Sequence, residues 1–138
     1  MALPAEWLTR LRLPLIAAPM LHVSGPALVA AACRSGVIGA FPAANCRQHG
    51  ELSVWIASIR EAIDGANAAP FAINLIVRSA TLADDLACLI REKVELVITS
   101  VGSPATLVDE LAAEYDAARL RSHRLVPAGA FTISRMTP

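Results

Sequence analysis

At 138 residues, 55% of them hydrophobic and 17% charged, the chain has the length of one domain and an apolar content that demands a large core or a partner surface. Twelve basic residues cancel twelve acidic ones, so no global field draws nucleic acid or an anionic membrane, and neither is expected as a partner. No apolar run reaches the ~18 residues of a membrane span, the N-terminus carries Glu6 and Arg10 without a signal-like core, and Cys33, Cys46 and Cys88 lie in apolar patterns without metal-type spacing. A soluble, cytoplasmic protein with reduced packing thiols and no bound metal is expected.

Trp7, Leu8 and Leu11 fall at helical spacing and predict a short lead-in helix packed under the first strand. Leu15 to Ala18 is too short a run for a helix and reads as a strand buried on both faces, stopped by Pro19. Ser24-Gly25-Pro26 then offers a capping hydroxyl and a first-turn proline to a helix presenting Leu28, Val29, Ala32 and Cys33, ended by Gly36. The pattern repeats. Val37 to Phe41 is a second strand, and Leu52, Trp55, Ile56, Ile59 and Ile63 line one face of a helix over about 48–63. Phe71 to Val77 is a third strand, followed by a helix from about Thr81 to Glu92 whose Asp84-Asp85 pair complements its dipole. Val94 to Val101 is a fourth strand, and Ser103-Pro104 opens a helix with Leu107, Val108 and Leu111. Four β-then-α units in succession predict a parallel sheet with helices outside it, as a doubly wound sheet or a (β/α)8 barrel. Beyond Glu114 the chain carries Arg119, Arg121, Arg124, Arg135 and His123 with neither alternation nor a helical face, and reads as a poorly ordered basic tail.

In such folds the chemistry sits at the C-terminal ends of the strands. Met20, His22, Asn45, Asn74, Thr99, Ser100 and Ser103 fall there and are expected to line one cleft. No P-loop, nucleophile elbow or G-x-G-x-x-G run is present, since Gly25 and Gly102 stand singly. Asn74 is the only polar side chain of an apolar strand, and its amide needs partners, either a neighbouring backbone or a bound heterocycle.

Leu13-Pro-Leu-Ile-Ala-Ala-Pro-Met20, the run from Ser24 to Pro42, Pro70-Phe-Ala-Ile-Asn-Leu75 and Val97-Ile-Thr-Ser-Val-Gly-Ser-Pro104 resemble the nitronate monooxygenase family, formerly called 2-nitropropane dioxygenases, over about residues 10–112. The resemblance implies an α/β fold, the first four of eight units of an FMN-dependent TIM (β/α)8 barrel, in an oxidoreductase that oxidises alkyl nitronates with O2. It implies that Ala18, Pro19 and Met20 set backbone and thioether against the isoalloxazine ring, that Asn74 hydrogen-bonds the flavin, and that Ser100 lies near it. The related FMN-dependent enoyl-acyl-carrier-protein reductase II shares the barrel and similar first-strand motifs, and is the alternative enzyme. A non-catalytic half-barrel interaction module is the alternative outside enzymes.

The family's glycine-rich phosphate loops and catalytic histidine have no counterpart among these residues, and neither His22 nor His49 matches that base, so the catalytic residue is unknown. Two parts follow: 1–112 as half a barrel, and 113–138 as a divergent arginine-rich tail resembling a truncated or frame-altered reading. The chain by itself is therefore expected to be inactive and to self-associate through open sheet edges.

Overall fold

The computed structural model describes residues 5–102 and residue 113. The expected helix after Ser103-Pro104, the boundary at 112 and the tail lie outside the described residues. In chain order the elements are α1 (Ala5–Leu8), β1 (Ile16–Ala17), α2 (Pro26–Arg34), β2 (Ile38–Pro42), a 3-10 turn (Ala43–Asn45), α3 (Glu51–Ile63), β3 (Phe71–Ile76), α4 (Leu82–Arg91) and β4 (Leu96–Ser100). No helix among the described residues is long and apolar enough to cross a membrane.

All strand pairs are parallel and the order is β1-β2-β3-β4, the same as in sequence. A doubly wound sheet reverses its order at a switch point, whereas a barrel lays each strand beside the last; the observed order is that of a barrel. Alternation along the strands separates two faces. Ile38, Ala40 and Ala72 share one face and pack with Leu11, Leu96 and Ile98, without a residue from α2, α3 or α4. That is the inner face. The register Ala40↔Ala72, Pro42↔Asn74 and Ile76↔Ser100 carries Asn74 and Ser100 onto it.

The outer face is the main core. Phe41 and Ile73 are fully buried, together with Val29 and Cys33 of α2 and Ile56 and Ile59 of α3, and the rings of Phe41 and Trp55 sit 5.4 Å apart. Gly39 permits the closest approach: a Cβ there would lie 2.4 Å from the Val29 carbonyl oxygen, so only hydrogen lets α2 press on β2. Gly36, at φ +75°, ends α2 in the left-handed conformation, with Val37 N–H donating to Ala32 O, and its own carbonyl accepts from Arg12 N–H. The lead-in segment is fastened to the residues before β3 and β4, and Leu8, expected on its packed face, is 59% exposed. Trp7 is buried and donates to Glu95 Oε2 at 3.1 Å, while Arg10 donates to Ala68 O at 2.7 Å and pairs with the Glu95 carboxylate.

Three expectations need correction. The first strand is not buried on both faces: Leu15 is 55% and Ile16 49% exposed, because β1 pairs on one side only and nothing described covers its other flank. Leu28 is exposed, and Ala30 is buried beside Val29 and Cys33 instead, because α2 meets β2 through its narrowest side chains. Ser24 does not cap α2; Gly25 takes the N-cap position with no side-chain bond, and the Ser24 hydroxyl turns back to the loop before it.

The cysteines are free thiols, Cys33 and Cys88 buried and Cys46 half-buried. Burial raises Cys33, and burial, with Glu51 beside it, pushes Cys46 up to about 12, so both stay protonated at neutral pH. Among the described residues no group of three or more His, Cys, Asp or Glu side chains is arranged to hold a metal ion.

Candidate flavin site and its neighbouring cleft

The residues expected to line one cleft divide between two places. Asn74 and Ser100 sit together on the inner face. Asn74 is 7% exposed, and its Nδ2 donates to Ile98 O at 3.1 Å and Ser100 Oγ at 3.0 Å. Its two N–H groups are thereby used within the sheet, which answers the demand for partners through the neighbouring strand. Among the described residues the Oδ1 atom faces only the Ser100 hydroxyl, at 3.3 Å. A carbonyl oxygen has two lone pairs and that hydroxyl one proton, so Asn74 retains an acceptor site at the strand ends.

The second place is the turn after β1. Ser24, 1% exposed, accepts from Met20 N–H at 2.9 Å through its hydroxyl and donates to Ala18 O at 3.4 Å. Asn45, in the 3-10 turn after β2, accepts from His22 N–H at 2.8 Å and donates to Met20 O at 3.1 Å and Ser24 O at 2.9 Å. His22 is left-handed, at φ 63°, a conformation that costs a non-glycine residue about 1–3 kcal/mol and persists only where the surroundings fix it. Its Nδ1 faces Arg47 Nη2 at 2.9 Å, so Nδ1 accepts and the ring proton is on Nε2.

His22, Val23, Ser24, Gly25, Asn45, Arg47 and Trp55 line an open cleft of about 380 Å³. Trp55 belongs to α3 and packs on Phe41, so this cleft opens on the helix side of the sheet, away from Asn74 and Ser100. Thr99 pairs with the buried Leu75 and falls by alternation on the outer face as well. Ser103 lies outside the described residues.

The inner face suits a flat aromatic ring by its chemistry. Below Asn74, Ala40 and Ala72 are small but already buried with Ile38 against Leu11, Leu96 and Ile98, so a ring would meet the upper edge, where Pro42 lies opposite Asn74 and an amide and a hydroxyl stand. Met20, in the turn after the first strand, is 42% exposed, and its thioether has no polar partner among the described residues. The backbone of that strand end is less available than the sequence implies, since Ser24 engages Ala18 O and Met20 N–H and Asn45 engages Met20 O. A pair of side chains thus occupies these main-chain groups.

Sequence reasoning missed the work of Ser24 and Asn45. Asn45 stood out as a polar residue after a strand, but its reach across 25 positions to Met20 has no local signal.

The fold is similar to that of FabK from Thermotoga maritima, with a TM-score of 0.66 and 26% sequence identity, covering 77% of this chain and 32% of that one. A point mutant of the same protein gives a TM-score of 0.65 at 26% identity, covering 77% and 34%. The chain thus spans about a third of the length of these structures, and its four parallel strands with alternating helices form part of a (β/α)8 barrel. No protein-family model and no curated protein sequence matches the chain.

Proposed function

We propose that these strands form the flavin-facing first half of an FMN-dependent oxidoreductase barrel. The carrying observation is the Asn74–Ser100 pair on the inner face at the C-terminal strand ends, with an acceptor lone pair to spare above the packed layer of Ala40 and Ala72. FMN, when bound, supplies the redox chemistry. Asn74 would hold a ring N–H through Oδ1, Ser100 would fix the orientation of that amide, and Ala18, Pro19 and Met20 would lie against the ring, with the Met20 thioether as the soft apolar contact.

Two reactions fit such a barrel, each supported by a different observation. Reduction of an enoyl thioester is supported by the likeness to FabK, an enoyl-acyl-carrier-protein reductase II. Oxidation of alkyl nitronates with O2 is supported by the Leu13–Met20 and Pro70–Leu75 runs. The first has a solved structure behind it and stands at least level with the second.

The test of the flavin reading is titration of FMN with the protein, following flavin fluorescence and the visible absorption band. Saturable quenching that weakens in Asn74→Leu is expected; free-flavin fluorescence at every protein concentration would overturn it. The reaction is then read by NAD(P)H oxidation with an enoyl thioester against oxygen uptake on propyl nitronate. The 138-residue chain by itself is expected to support neither, because its residues contain no clustered glycine N–H groups for the FMN phosphate.

A further inference from the structure

We infer that Asn45 is a positioning residue of the flavin site: it reaches from the turn after β2 and fixes the turn after β1 that carries Met20. The inference rests on the flavin reading above and adds to it a residue that touches no flavin. Asn45 makes three hydrogen bonds to that turn's backbone, with His22 N–H, Met20 O and Ser24 O at 2.8, 3.1 and 2.9 Å. Met20 is thereby held at both ends of its own peptide units, its N–H by Ser24 and its C=O by Asn45.

The two clamps differ in kind. Ser24 acts within the turn and stiffens it. Asn45 ties the turn to the neighbouring β/α unit, so the thioether keeps its place relative to β2 and, through the Pro42–Asn74 register, to β3. A side-chain amide is the group that accepts at one atom and donates twice at another. A carboxylate at position 45 would set charge against two carbonyl oxygens, and an aliphatic side chain would leave three backbone groups to water. His22 adds the reason a clamp is needed, since its left-handed backbone relaxes once its N–H loses Asn45 Oδ1.

The experiment compares wild type, Asn45→Ala, Met20→Ala and the double variant. Hydrogen exchange reads the turn, FMN titration reads the site, and the shape of the visible flavin band reports the ring's surroundings. In Asn45→Ala the His22 amide should exchange about tenfold faster, and the FMN dissociation constant should rise about fivefold with an altered band. Met20→Ala should weaken FMN similarly while leaving His22 exchange unchanged. The double variant should bind no more weakly than Met20→Ala, because both changes remove one contact.

Unchanged exchange in Asn45→Ala would overturn the inference, as would fast exchange with an unchanged dissociation constant and band, or fully additive losses. Exchange of the β2 and β3 amides guards against a general loss of folding: it should stay at the wild-type level in Asn45→Ala while the His22 amide alone exchanges faster. If the wild type itself quenches no FMN, the flavin reading falls; if wild type quenches and all variants match it, only the role of Asn45 falls.

Discussion

Strands β1 and β3 are both short, uncharged and largely apolar runs, and meet opposite fates. Phe71 to Leu75 of β3 are buried throughout, whereas Leu15 and Ile16 at β1 are about half exposed. The difference is position. β3 has a strand on each side, α4 on its outer face and the small-residue layer on its inner face; among the described residues β1 has one neighbour, β2, along whose flank Ile38 N–H donates to Leu15 O. An apolar run therefore states a capacity for burial, and the ladder decides how much of it is used. The two faces of the sheet differ as well, one covered by the helices and the other packed by Leu11 with Leu96 and Ile98 below Asn74 and Ser100.

The largest test of the contrast lies on the sealed face. Phe41→Ala should cost about 3–5 kcal/mol, and Gly39→Val, whose Cβ would press on the Val29 carbonyl, more than about 3 kcal/mol, both read from urea midpoints. A midpoint near wild type for Gly39→Val would mean that α2 does not press on β2.

On the inner face, Asn74→Leu should weaken FMN by ~1 kcal/mol or more, since a buried polar partner is lost. Equal occupancy in the two proteins would take Asn74 out of the site. Smaller still is the effect at the edge: Ile16→Ala should cost about 1 kcal/mol or less in stability, because Ile16 is 49% exposed. Its larger consequence concerns association. The chain is expected to self-associate through β1, and Ile16→Lys should disperse it in sedimentation at tens of micromolar; a monodisperse wild type would show the edge already covered.

The least effect is at Glu51. Its carboxylate accepts from the Arg47 and Gln48 N–H groups at 2.7 and 3.0 Å, and these bonds hold it below the usual carboxylate range. A lowered folded value means the contribution is complete above about 4.5 and is lost as pH falls through the folded value. Glu51→Gln should remove that acid-limb dependence and little else, as read from Tm between pH 3 and 6; an acid limb unchanged in the variant would assign it to other groups.

Element order and type were legible before the structure. Each depends on signals inside one segment: the 3.6-residue face of Leu52, Ile56 and Ile59, the left-handed Gly36 ending α2, the apolar run of β3 with its single amide. The four strands with the helices between them, and the isolation of Asn74, follow from residues within a turn or two of each other. The sheet's consecutive order, the exposure of β1, the turn of Ser24 back to Met20 rather than onto α2, and the separation of His22 and Asn45 from Asn74 were decided only by tertiary structure. Those depend on which strand lies beside which and on which face each residue meets, and a hydrogen bond spanning 25 positions leaves no period in the chain to announce it.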